Sequence, residues 1–416
     1  MAQRLSRVRS WGSRVFAVEC DVTTGPVYFS VAATPQGSGG DVRPLGQLFG
    51  HGKVFSLHVH GDDRVRAAKF HGDVKSRLSA LPRGHVMEMS SFLPNQKRSL
   101  VKGFLMRVPA DSSAADDALL ELLREDAVHA CSYATSGDRW WQQLLARSEE
   151  GLVVAERFCV APAPAPEHHP STLNIVNSDV FYSFRDAQQV LIECSNIIPE
   201  SKAVLELVNK PSDPTVKGKF PVIVIEGLDA TGKTTLTDSL KGAMGAVLLK
   251  SPPQVLAPFR QLFDAEPPLI RRAFYALGNY ITARQIARES EKAPVIVDRF
   301  WHSTAAYAIA TAVSGKVGNL PGLGSEVYQW PGDLLKPSLV LLLSVSPEER
   351  LRRLSGRGLE KTVEEAELEA NHLFRQKVEE AYMRIQNPAC EVVDASPSPD
   401  QVLQQVLLLI KSKCHL

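Results

Sequence analysis

A chain of 416 residues is long for one compact core and points to two domains. Its 47 basic residues nearly balance its 46 acidic ones, and the formal net charge of +1 argues against a protein that coats nucleic acid, so any charged recognition must be local. The cysteines are scattered without a C-x-x-C pair, which suggests neither a disulfide framework nor a zinc site, and no apolar run approaches the roughly 20 residues of a transmembrane segment.

At the amino-terminal end, Arg4, Arg7, Arg9 and Arg14 stand among Ser6, Ser10 and Ser13, and no acid precedes Glu19. That composition predicts a mitochondrial transit peptide over residues 1–18 and a mitochondrial location, with an ordinary basic tail as the alternative. Residues 19–160 then read as a domain of unassigned role. Segments 16–31 and 54–59 predict strands, while 114–127 and 139–146 predict helices, giving a mixed α+β unit. His58, His60 and His71 lack metal-ligand spacing, and the glycine patch at 37–40 reads as a loop. Alternating prolines over 161–170 favour an extended linker, because proline continues neither helix nor sheet. Residues 171–217 read as a helical connector, with Val190, Leu191, Cys194, Ile197 and Ile198 in its apolar pattern.

From residue 218 to 416, short apolar runs at 222–225, 246–249, 295–297, 339–345 and 392–393 alternate with helical patterns. The fold class expected is α/β: a five-stranded parallel sheet with helices on both faces, preceded by the separate α+β domain. Ser346-Pro347-Glu348-Glu349 and Ser398-Pro399-Asp400-Gln401 predict capped helix starts. In such a sheet, ligands sit beyond the carboxyl ends of the strands. The first strand runs into Gly227, Leu228, Asp229, Ala230, Thr231, Gly232, Lys233, Thr234 and Thr235, which satisfy G-x-x-x-x-G-K-[ST]. In that motif backbone N–H groups surround phosphate oxygens, the lysine reaches the β/γ-phosphates and the hydroxyl binds Mg²⁺, so the chain handles a nucleoside triphosphate. After the strand at 295–297, Asp298 offers a carboxylate to Mg²⁺ through water and Arg299 offers a phosphate clamp.

Glu226-Gly227-Leu228-Asp229-x-x-Gly232-Lys233-Thr234-Thr235, Asp298-Arg299-Phe300-x-x-Ser303 and Asp394-Ala395-Ser396 together resemble the thymidylate kinase family over residues 218–412. The long amino-terminal region, the leader and Lys250-Ser251-Pro252-Pro253 are similar to its mitochondrial, UMP/CMP-kinase-like branch. The resemblance implies a P-loop nucleoside monophosphate kinase fold, ATP as phosphoryl donor, Mg²⁺ as cofactor, and UMP, CMP, dUMP or dCMP as acceptor. It implies that Lys233 and the loop amides hold donor phosphates, that Asp229 lies near the acceptor's sugar, and that Arg299 binds the acceptor phosphate with Asp298 on the metal-water network. It places Phe274 as a ring stacking on the pyrimidine, against a plain reading of Phe274, Leu277 and Ile281 as an apolar helical stripe, and Tyr307 beside the 2′ position.

Several positions depart from the thymidylate pattern. An arginine near the base would fall at Gly278, and another for the acceptor phosphate at Gln254, where Arg260, Arg271 or Arg272 could substitute. A loop arginine is replaced by Ala230, so the catalytic cation must come from elsewhere. The basic, glycine-interrupted segment 352–361 predicts a mobile lid whose Arg353 and Arg357 close over the triphosphate. A thymidylate kinase proper and a nucleotide-dependent switch or scaffold are the alternatives, the second lacking an N-K-x-D signature. A homodimer and the purpose of the inserted segment 313–331 are left open.

Overall fold

The computed structural model describes residues 13–20, 25–34, 41–61, 63–209, 217–355 and 371–414. The glycine patch at 37–40, Arg357 and the rest of the expected lid from 356 to 361 lie outside them. The chain forms two compact units, one running through Asn174 and including Ser314–Asn319, the other comprising Ile175–Val313 and the residues from Leu320 on.

Eight strands among the described residues make up the first unit: β1 (Val15–Val18), β2 (Val27–Ala32), β3 (Lys53–Val59), β4 (His85–Phe92), β5 (Val101–Val108), β6 (Val128–Ser136), β7 (Arg139–Ser148) and β8 (Gly151–Pro162). They pair antiparallel in the order β1-β2-β8-β7-β6-β3-β5-β4, and β4 closes on β1, so the barrel leaves no open edge. Alternation builds its core. Phe16 and Val18 join Phe29, Phe49 and Tyr133 on one side, while Ala17 between them packs with Phe92 and Leu100. Helix α1 (Arg43–Phe49) adds Leu45 and Leu48 to the first of these clusters. Phe55, Leu57 and Val59 of β3 instead meet Val74 and Leu78 of α2 (Arg64–Ser79) and Leu119 of α3 (Ser113–Leu122).

The helix expected over 139–146 is strand β7. Alternation along β7 sends Leu144 to one cluster and Leu145 to the other, so both faces are apolar and the adjacent leucines hide the two-residue period; the register shift there leaves Ala155 of β8 as the extra residue. β8 carries on to Pro162, opposite Phe29, so the proline-rich segment begins inside a strand. The leader expected over 1–18 overlaps β1: Phe16 is fully buried, and Arg14 donates through Nε to Ser91 Oγ at 3.1 Å.

The second unit opens with α4 (Phe184–Cys194) and α5 (Glu200–Val208). Next come β9 (Val222–Gly227), α6 (Lys233–Met244), β10 (Val247–Lys250), α7 (Ala257–Asp264), α8 (Pro268–Glu289), β11 (Val295–Asp298) and α9 (Trp301–Ala312). The chain continues through β12 (Leu339–Ser344), α10 (Pro347–Ser355), α11 (His372–Arg384), β13 (Glu391–Asp394) and α12 (Pro399–Cys414). The sheet is parallel throughout, in the order β10-β11-β9-β12-β13, as the alternating runs predict. Ile223 and Ile225 point with Leu341 and Leu343 toward Leu240 of α6 and Val406 of α12, while α8 and α9 contact β10 and β9. Burial on both faces explains why the strands read as unbroken apolar runs. Both expected caps form: Ser346 Oγ accepts from the Glu349 amide at 3.2 Å, and Ser398 and Gln401 exchange hydrogen bonds.

Candidate active site

β9 delivers the phosphate loop at the carboxyl edge of the sheet, with β11 and β12 on either side. Gly227 has φ of +140°, and a Cβ there would stand 2.7 Å from the Leu343 carbonyl oxygen, so only glycine fits. Ala230 at φ of +61° and Gly232 at +94° continue the turn into α6. This is the backbone habit that gathers N–H groups into an anion-binding concavity. Leu228 and Thr231 are buried, Thr231 Oγ1 donating to the Leu228 carbonyl at 2.9 Å, whereas Thr234 and Thr235 are exposed at the start of α6. Lys233 folds back over the loop, donating through Nζ to the carbonyls of Gly227 at 3.0 Å and Leu228 at 2.6 Å. Burial, and then the positive charge of Arg299, lower its pKa to about 7.

Across from the loop, Arg299 follows β11 with φ of +64°. Its Nη2 donates to Asp229 Oδ1 at 2.9 Å, its Nη1 to Ser303 Oγ at 3.1 Å, and its guanidinium carbon lies 5.8 Å from the centre of the Tyr307 ring. Burial alone would lower its pKa, but Tyr307, Tyr382, Asp229 and Glu226 outweigh that and hold it well above its ordinary value. Beneath sits Glu226, fully buried, accepting from the amides of Phe300 at 2.9 Å and Ser303 at 3.3 Å and from the Ser303 hydroxyl. Its own pKa is raised by burial, against these hydrogen bonds. Asp298 ends β11 with Oδ2 at 3.8 Å from Lys250 Nζ, while its Oδ1 is buried with no partner among the described residues.

On the other side of the loop lies a cavity of about 470 Å³ lined by Thr231, Thr235, Arg352, Arg353, Ser396 and Pro397. Arg353 is spent on protein groups: Nε donates to Glu349 at 2.6 Å, Nη2 to the Ala395 carbonyl at 2.9 Å and Nη1 to the Thr231 carbonyl at 3.4 Å.

The thymidylate kinase family model matches residues 225–406, a span that takes in the loop, the Arg299 turn and the first half of α12. Human "UMP-CMP kinase 2, mitochondrial" is 51% identical over 357 residues, covering 84% of this chain and 80% of that protein. The chain belongs to the thymidylate kinase family. Thymidylate kinase from Nitratidesulfovibrio vulgaris is 28% identical over 214 residues, 46% of this chain and 95% of its own. The solved thymidylate kinase of Candida albicans covers 46% of this chain and 92% of its own, at 21% identity and a TM-score of 0.36.

In this family member the residues expected to meet substrate fall into two groups. Gly227 to Thr235, Asp298, Arg299 and Tyr307 converge on the carboxyl edge of the sheet. Phe274 does not stand open as a stacking ring: it is fully buried, with its face on Phe263 at 4.5 Å and an interplanar angle of 6°. The helical-stripe reading describes it better, because α8 carries it into the core. Gly278 packs on the chain after β10, where a Cβ would lie 3.2 Å from Pro252 Cβ. Arg260 faces the Tyr275 hydroxyl, Arg271 donates to the Asp264 carbonyl, and Arg272 is buried on Thr311. Arg353, expected on a closing lid, is already fastened to the loop through the Thr231 carbonyl. Glu226, Ser303, Tyr382 and Arg350 were not predicted as site residues. Glu226 and Ser303 stand in the quoted motifs without an assigned role, and Ser303 meets Arg299 only four residues away; Tyr382 and Arg350 meet the site through contacts far apart in sequence.

Proposed function

We propose that the second unit transfers the γ-phosphoryl group of ATP to the phosphate of UMP, CMP and their deoxy forms, in mitochondria. The observation that carries this reading is the Arg299–Asp229 pair, which joins an anion-binding turn after β11 to the phosphate loop after β9. An acceptor phosphate held by Arg299 would lie beside a donor triphosphate held by the loop amides and Lys233. Transfer breaks the bond between the γ-phosphorus and the β,γ-bridging oxygen as an acceptor phosphate oxygen bonds to that phosphorus. That oxygen is already anionic, so positioning and charge neutralisation do most of the work and no strong base is required. The adenosine would occupy the cavity between Thr235 and Pro397.

The donor set fits a magnesium ion: the Thr234 hydroxyl opens α6, and Asp298 Oδ1 is a buried oxygen without a partner among the described residues. Bound there, the ion would neutralise charge on the donor phosphates. A mitochondrial leader would have to end before Val15 to spare β1. The test is ADP release from Mg·ATP by the purified protein, offered UMP, CMP, dUMP, dCMP and dTMP in parallel. Preference for uridine or cytidine forms is the expected result; preference for dTMP, or no acceptor-dependent turnover, would overturn the reading.

A further inference from the structure

Helix α10 places Arg350 and Arg353 three residues apart, on one face. Both arginines grip the phosphate loop by its backbone. Arg350 Nε donates to the Asp229 carbonyl at 3.1 Å, and Arg353 Nη1 donates to the Thr231 carbonyl at 3.4 Å. Between those carbonyls stands Ala230 in the left-handed region, a conformation that costs an alanine energy and persists when its neighbours are held.

Arg350 is 2% exposed, no carboxylate lies within ion-pair distance of it among the described residues although its charge is felt by Glu379, and its Nη1 is buried without a partner. A buried guanidinium so incompletely satisfied is a poor stabilising device, since replacing buried ionic groups by apolar side chains of similar volume is often neutral or favourable. What it does is fix the position of one residue. Asp229, whose carbonyl it holds, is the residue whose carboxylate orients Arg299.

We infer that Arg350 is a positioning residue for the acceptor: by fixing the Asp229 backbone it sets the direction of the Arg299 guanidinium. The inference rests on the acceptor-site reading above. Arg353, bonded beside the donor cavity, does the corresponding work for ATP. The two arginines of one helix therefore set the two halves of the site separately.

The experiment compares wild type with Arg350→Met, Arg350→Lys and Arg353→Met, varying CMP at saturating ATP and ATP at saturating CMP, with melting temperatures alongside. Arg350→Met should lower kcat/KM for CMP about 10- to 100-fold, the scale expected for small misplacements at a reacting centre. Its KM for ATP and its melting temperature should stay near wild type. Arg350→Lys, which keeps a donor for the carbonyl, should recover most of the loss, and Arg353→Met should mainly raise KM for ATP. Wild-type acceptor kinetics in Arg350→Met would overturn the inference, as would equal rises in both KM values with a lowered melting temperature. If Arg350→Met does not fold, Arg350→Lys and Arg353→Met decide: a shared, unsplit change in both KM values overturns the inference. Absence of CMP-dependent turnover in wild type would fail the kinase reading itself.

Discussion

The carboxylate of Glu226, at the buried end of β9, accepts a hydrogen bond from the backbone amide of Phe300 at 2.9 Å, across 74 residues of sequence. It also accepts from the Ser303 amide, so the turn that holds Arg299 at positive φ is folded onto the strand that delivers the phosphate loop. The two halves of the site share one buried acid.

Glu226→Gln should therefore disturb the acceptor side first. A carboxylate only accepts, whereas an amide must present its NH₂ to one of the donors that now converge on it. The expected result is a loss of about 1–3 kcal/mol of stability, the cost of a buried polar group left unmatched. Acceptor kcat/KM should fall about tenfold, as a small misplacement of Arg299 would produce. Denaturant titration and steady-state kinetics check both, and an unchanged acceptor KM would count against the link.

Lys233 carries a pH signature. Its pKa is lowered in the native state from 10.5 to about 7, so between those values the unfolded chain holds a proton that the native protein has shed. Stability of the nucleotide-free protein should rise with pH across that window, and below it the full burial penalty is felt. Lys233→Met should melt higher than wild type at about pH 7, with an advantage that shrinks toward pH 10, while turnover is nearly abolished. Melting curves at several pH values, with ADP release measured alongside, separate the two effects.

Arg299→Ala should weaken use of the acceptor far more than binding of ATP. Removing one partner of a mostly buried ion pair also leaves Asp229 less well held, so some loss of stability is expected. Initial rates with each substrate varied in turn read the split, and equal losses for donor and acceptor would remove Arg299 from its proposed role.

Gly278→Arg tests whether a thymidylate-type arginine can simply be restored. A Cβ there would come within 3.2 Å of Pro252 Cβ and 3.3 Å of Leu256 Cδ1. The substitution should cost about 1–3 kcal/mol as overpacking, with no gain in preference for dTMP over dCMP. Thermal denaturation and competing-substrate assays give both answers.

The sequence by itself determined the five parallel strands, the helix caps, the phosphate loop and Arg299, because each is a local pattern: an apolar run, a capping box, a glycine spacing, a charge after a strand. It also carried the family, through motifs that need no third dimension to read. Only the tertiary structure decided that 139–146 is a strand, because β7 buries leucines on both faces and so shows no clean alternation, and that the first unit closes into a barrel, because closure depends on pairing β1 with β4. It also decided that Phe274 is core and that Arg353 is bound to the loop. The same holds for the partners that Glu226, Tyr382 and Arg350 find in the site, which lie 74 to 156 residues away. Residue type and spacing can announce a chemical group, but which neighbour satisfies it is settled by packing, and packing is long-range.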